Sequence, residues 1–190
     1  MWRTTLLNHT YTFESIKEIL AKANEEKSGD MLAGIGAHTA AERVAAKVVL
    51  ADITLEELRK NPVVPPEEDE ISRLSEEQID EAAYAKIKAM TVGEFREFLL
   101  AADTAQIEEI RDGLTPEMIA AVAKLMSNMD LVTTAAKMPV TATCNTTIGK
   151  KGIFAGRLQP NHARDDVEGI MASVYEGISY GIGDAVIGLN

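Results

Sequence analysis

The 190-residue sequence predicts an α/β protein in which a mostly helical region, 1–138, opens with a short hairpin and precedes the start of a parallel α/β domain over 139–190. Three observations predict this. Helix-start signatures recur from Thr39 to Thr115. After Pro139 the pattern changes to strand, helix, strand over roughly 30 residues, the length of a βαβ unit with parallel strands. The sequence then stops on a strand, although a parallel pair needs further strands and cover on both faces.

The elements follow in order. Polar and apolar residues alternate through Leu7-Asn8-His9-Thr10-Tyr11, the pattern of a short hairpin. Ile16, Ile19, Leu20 and Ala23 share a helical face, and Lys27-Ser28-Gly29-Asp30 breaks that helix. Thr39 and Glu42 have capping-box spacing, with Val44, Ala45, Val48 and Val49 as the expected apolar stripe behind them. The prolines of Asn61-Pro62-Val63-Val64-Pro65-Pro66 lack amide donors and restrict their predecessors, so this stretch runs extended before Glu67-Glu68-Asp69-Glu70, read as a solvated helix start. Ser75 with Gln78, Thr91 with Glu94, and Thr115-Pro116-Glu117 signal further starts. The last helix, Pro116 to Met129, would place Met118, Ala121, Val122, Leu125 and Met126 in the core. Met138-Pro139 ends the helical part.

Beyond it, Val140 to Cys144 is strand-like and Gly149, Gly152 and Gly156 punctuate the chain. Phe154 to Gln159 reads as a strand stopped by Pro160. Asp165-Asp166 opens a helix carrying Val167, Ile170, Met171, Val174 and Ile178, and Asp184 to Asn190 reads as a second, buried strand.

Composition excludes several function classes. A net charge of −11 repels a phosphate backbone, so no nucleic-acid partner is expected. Apolar stretches fall short of the roughly 20 residues that cross a bilayer and the N-terminus has no signal-peptide core, so no membrane partner and a cytoplasmic location are expected. The single cysteine, Cys144, offers no internal disulfide or cysteine pair. The acceptor patterns at Asn8 and Asn145 need a secretory route and are set aside. His9, His38 and His162 lack zinc-hydrolase spacing and read as structural, and no metal site is expected. Gly181-Ile182-Gly183 closes a helix rather than opening one, unlike a dinucleotide loop. Gly149-Lys150-Lys151-Gly152 lacks phosphate-loop spacing, and Asp165-Asp166 suits a helix first turn.

The candidate chemistry lies at the carboxyl ends of the two strands, where βα architectures hold their sites. Alternation sends Arg157 and Gln159 to one side and the second strand finishes on Asn190, so three side chains could converge on one hollow. Arginine donates in a fork, while glutamine and asparagine donate and accept, which suits orienting a small polar molecule without an acid or base. The same residues could instead bond neighbouring strand ends, with Asn190 capping a loop; spacing leaves both readings open.

Five collinear segments carry a resemblance: Ser28-Gly-Asp-Met-Leu-Ala-Gly34, Glu42-Arg-Val-Ala-Ala-Lys47, Asn145-Thr-Thr-Ile-Gly149, Arg157-Leu-Gln-Pro-Asn161 and Gly183-Asp-Ala-Val-Ile-Gly188. Through them the chain closely resembles the N-terminal portion of the ethanolamine ammonia-lyase large (heavy) subunit. The resemblance implies a helical extension followed by the first strands of a (β/α)8 TIM-type barrel, incomplete in this chain because a barrel needs about 250 residues. It implies an adenosylcobalamin-dependent radical conversion of ethanolamine to acetaldehyde and ammonia, an ethanolamine ammonia-lyase small subunit as partner, large-subunit self-association and, by family habit, a bacterial microcompartment. It also implies that Arg157, Gln159 and Asn190 contact substrate, with Arg157 and Asn190 at the hydroxyl and Gln159 at the amino group, and that this polypeptide alone is inactive. The rival expectation from another class is a noncatalytic, truncated helical interaction module whose bare strand edges associate.

Overall fold

A two-residue loop whose central residues both have positive φ matches the twist of antiparallel strands. Leu7 and Asn8 meet that requirement, at φ 52° and 62°. They join β1 (Trp2–Leu6) to β2 (His9–Phe13), with Leu6 opposite His9 and Trp2 opposite Phe13. The hairpin thus turns at Leu7-Asn8, one residue before the Asn8-His9 pair on which the alternation centres. The computed structural model describes residues 1–143, 147–150, 152–182 and 186–188. The chain divides into two compact units, Met1–Met138 and Pro139–Asn190.

Side-chain caps build the first unit, each satisfying amides that a helix start leaves open. Ser15 caps α1 (Ile16–Lys22), which buries Ile16, Ile19 and Leu20. Lys27-Ser28-Gly29-Asp30 is more than a break: α2 (Ser28–Leu32) forms there. It closes at Gly34, φ 69°, where the Ile35 amide donates to Asp30 O (3.1 Å) and that of Gly34 to Met31 O (3.1 Å). This left-handed closing turn needs a residue without a Cβ. Thr39 caps α3 (Ala40–Ala51) as expected, but the Glu42 carboxylate accepts from the His38 amide, so no reciprocal box forms. The expected stripe is also rotated by one residue. Ala45, Ala46, Val49 and Leu50 face the core while Val44 and Val48 are exposed, because large Leu50 and small Ala46 let neighbouring helices approach on that side.

Thr54 and Glu57 form a reciprocal box ahead of α4 (Leu55–Lys60), and the proline segment that follows is not helical, with a turn from Pro65 to Glu68. The Ser75–Gln78 start is overturned: Ser75 lies inside α5 (Glu70–Glu77), whose cap is Asp69, accepting from the Ser72 amide at 2.7 Å. The Asp69 carboxylate, third in the acidic run, supplies a stronger acceptor than the serine hydroxyl. Asp80 caps α6 (Glu81–Ile87), Thr91 and Glu94 box α7 (Val92–Ala101), and Asp103 and Gln106 box α8 (Thr104–Arg111). Thr115 caps α9 (Pro116–Leu125) with Pro116 in the first turn. The expected helix to Met129 is two helices, because Ser127 and Asp130 form a new box that starts α10 (Asn128–Ala135) and leaves Met129 exposed.

Phe13, Ile19, Leu50, Ile53, Leu58, Phe95 and Met118 are fully buried in one cluster. The extended caps of α4 and α7 also pair with each other. The Leu55 amide donates to Met90 O (2.9 Å) and the Val92 amide to Ile53 O (2.8 Å) across a Thr54–Thr91 bridge. Lys137 Nζ donates to the carbonyls of Leu99, Leu100 and Ala102 at 2.8–2.9 Å, closing the open C-terminal end of α7.

In the second unit, β3 (Ala142–Thr143) pairs antiparallel with β4 (Thr147–Ile148). Then β5 (Arg157–Leu158), α11 (Val167–Ser179) and β6 (Val186–Ile187) form the βαβ unit, β5 and β6 parallel. β5 is shorter than its sequence pattern predicts, with Phe154 98% exposed rather than on a strand, and Ile187 of β6 is 45% exposed where the sequence predicts a buried strand. A lone two-stranded ladder lacks the flanking strands that hold apolar ends in register. Asp166 caps α11 through the Gly169 amide (2.8 Å). The helix closes at Gly181, φ 74°, with the Ile182 amide on Gly177 O, so the helix-stop reading of Gly181-Ile182 holds. Among the described residues there is no closed barrel, and no helix is long and apolar enough to cross a membrane.

One ion cluster in the first unit sets a pH response. Lys22 Nζ lies 2.9 Å from Glu18 and 2.7 Å from Glu42. Partial burial works to raise the Glu42 carboxyl, but Lys22 and the His38 amide outweigh it and hold the group below its ordinary 4.5. The Glu14 amide, with Lys22 against partial burial, lowers Glu18 likewise. Depressed carboxylates add stability that is complete above their unfolded values and lost as pH falls through the folded ones. Urea denaturation of the chain is expected to show stability falling below pH 4.5, with Glu42→Gln giving a shallower fall over the same range.

Candidate functional site

The parallel ladder aims the candidate residues. Leu158 points at α11, since a Cβ placed on Gly177 would come within 2.5 Å of Leu158 Cδ1, so the absence of a side chain at Gly177 is what seats the leucine. Alternation then puts Arg157 and Gln159 on the face away from α11. Gln159 precedes Pro160, which holds it extended and continues the alternation one residue past β5. Both side chains are exposed, whereas Pro160 is buried.

β6 shapes the same face. Its register sets Arg157 beside Val186 and Leu158 beside Ile187, and the Gly188 amide donates to Leu158 O at 2.9 Å. A Cβ on Gly188 would lie 2.9 Å from Arg157 Nη2, so this glycine leaves the space the guanidinium occupies. Arg157 has no ion-pair partner among the described residues, and its fork of donors remains available to a ligand. The His162 ring packs over Gly169, and its Nδ1 accepts from the Arg164 amide at 3.4 Å. The register of β5, continued by alternation, puts Arg157 and Gln159 on one face. Asn190, the third predicted residue, lies outside the described residues, as do Cys144 and Asn145. Among the described residues no group of three or more histidine, cysteine, aspartate or glutamate side chains could hold a metal ion.

The family model described as ethanolamine ammonia lyase large subunit matches residues 11–190. The chain belongs to this family. It is 51% identical over 190 residues to the ethanolamine ammonia-lyase large subunit of Escherichia coli (strain K12), covering 99% of this chain and 42% of that protein. The large subunit of Salmonella typhimurium is similar to the same extent, at 51% identity and 42% of its length. The chain thus spans about two fifths of the length of these curated relatives.

Within that family setting, two glycines do work that the sequence reading did not assign. Gly188 entered as the end of a family segment with no structural role given to it, and Gly177 not at all. The available signal was positional: Gly188 falls on the register position beside Gln159, where alternation predicts a neighbour facing Arg157. The cavities of about 580 and 820 Å³ are lined by residues between Ala23 and Leu131, and Arg157 and Gln159 line neither. Gly177→Val is expected to collide with Leu158 and loosen the ladder, costing about 1–3 kcal/mol as overpacking does. Amide hydrogen exchange at Gly188 checks it, with faster exchange in the variant.

Proposed function

We propose that this chain is part of an ethanolamine ammonia-lyase large subunit in which Arg157, Gln159 and Asn190 hold ethanolamine at the mouth of a (β/α)8 barrel whose first strands are β5 and β6. The observation that carries this reading is the division of sides at β5. Leu158 takes the helix-facing side and leaves Arg157 and Gln159 on the opposite one. In a (β/α)8 barrel the helices lie outside, so that opposite face is the interior, and sites open at the strands' carboxyl ends.

The residues suit the task. The Arg157 guanidinium donates hydrogen bonds to the substrate hydroxyl oxygen, with Asn190 beside it. The Gln159 carboxamide oxygen accepts from the amino group while that group changes position. None of the three needs to exchange a proton; they orient the substrate and exclude stray reactants. Adenosylcobalamin, when bound, supplies the radical that abstracts hydrogen from ethanolamine. The described residues of 139–190 do not by themselves fit a corrin, because they present two exposed donors on an open strand end. Its surface, together with recognition of the substrate ammonium, is assigned to further parts of the large subunit and to the small subunit. Self-association of the large subunit and a microcompartment location complete the proposal, and the 190-residue chain alone is expected to release no acetaldehyde.

The noncatalytic interaction module has one observation in its favour, the exposure of Phe154, Val140, Val167 and Tyr175 in the second unit. Further barrel strands and helices would cover the same side chains, so the exposure fits the enzyme as well. The decisive experiment uses the complete large subunit with its small subunit. Arg157→Gln is expected to lower kcat/KM for ethanolamine by roughly 10–100-fold, the effect of losing a charged hydrogen bond of about 1.5–3 kcal/mol, with cobalamin binding unchanged. Unaltered kinetics would assign Arg157 to bonding strand ends.

A further inference from the structure

Lysines from three elements meet at a cavity of about 820 Å³ in the first unit: Lys27 at the start of α2, Lys47 in α3 and Lys124 in the last turn of α9. Such a gathering runs against the composition, in which 30 acidic residues outnumber 19 basic ones. Its own carboxylates do not neutralise it. Glu25 also lines the cavity but is taken by Lys47 at 2.6 Å, with Arg43 3.9 Å away on its other oxygen. Neither Lys27 nor Lys124 forms an ion pair among the described residues.

We propose that this cavity binds a phosphoryl group, free or as a small phosphomonoester, through the ammonium groups of Lys27, Lys47 and Lys124. Two ammoniums without carboxylate partners match the charge of a phosphoryl dianion, and their three donors apiece match its several oxygens. Lys124 is partly buried. Burial lowers its pKa, Lys27 and Lys47 lower it further, and Asp30 opposes them only in part, so a bound anion relieves an unfavourable arrangement. Alanines 120 and 123, Met126 and Leu131 give the cavity an apolar wall. Its volume exceeds what phosphate alone fills and lies within the range of small-molecule sites. Ser127 and Asn128 at the start of α10 complete the lining, but the Ser127 amide already donates to Asp130 (2.9 Å), so the lysines carry the recognition.

Calorimetric titration of the intact subunit that carries this chain tests the site, with inorganic phosphate and phenyl phosphate as probes and chloride at matched ionic strength and benzoate as references. Saturable one-site binding of both phosphoryl probes is expected. Lys124→Met and Lys27→Met should each weaken it by roughly tenfold or more, and Lys17→Met, on the exposed side of α1, should leave it unchanged. Tighter phenyl phosphate identifies a phosphomonoester as the ligand, and equal affinities identify free phosphate. Lys27 is exposed and its side chain caps nothing, so its variant reports on binding even if Lys124→Met fails to fold. No saturable binding, benzoate binding as tightly as phenyl phosphate, or undiminished affinity in the Lys27 variant would overturn the proposal. The benzoate result would point instead to an acidic partner surface.

Discussion

Leu158 seated on the bare backbone of Gly177 is the contact from which the candidate site follows. A two-residue strand has no intrinsic preference for one face, and a parallel pair of this length is weak on its own. Burying Leu158 against α11 decides which way β5 faces, and a slip by one residue would turn Arg157 and Gln159 toward the helix. The Gly188 amide on Leu158 O then holds β6 in register, and the absent side chain at Gly188 leaves room for the guanidinium. Two glycines and one leucine thus orient a charged and a polar side chain without touching any ligand themselves.

Much of the first unit was legible because its helices begin with local signals. Thr39, Thr91 and Thr115 cap helices where their spacing predicts, since a cap needs only the amides two or three residues ahead. Misreadings arose where two signals competed within a few residues. The start expected in the acidic run is real, with Asp69 as its cap, but it carries α5 through Ser75 and removes the second start expected there; Ser127 in turn divided a methionine-rich run that periodicity alone joins into one helix. The rotation of the α3 stripe has a different origin. Val44 and Val48 are as apolar as their neighbours, and only packing against α1, α7 and α9 decides that Ala46 and Leu50 face inward. In the second unit the parallel βαβ order was legible from alternating grammar, while strand length was not, because length depends on neighbours that sequence periodicity does not encode.

Some residues of the family segments have structural work in the first unit. Gly34 closes α2 in a left-handed conformation, and Glu42 links Lys22 of α1 to the His38 amide before α3. These positions hold the helical unit together, whereas Arg157 and Gln159 make no such structural bonds among the described residues and stand exposed. A polar pair that stabilises nothing around it is what a ligand-facing position looks like. The lysine cavity likewise gathers three basic side chains in a chain otherwise rich in acid.

The central claim is that β5 directs Arg157 and Gln159 together toward a small amino alcohol. A crystal structure of the complete large and small subunits with bound ethanolamine measures this most directly. The account predicts the Arg157 guanidinium within hydrogen-bond distance of the hydroxyl oxygen and the Gln159 carboxamide within reach of the nitrogen, with Leu158 still against Gly177. Ethanolamine bound elsewhere, with Arg157 engaged only by protein groups at the strand ends, would contradict it.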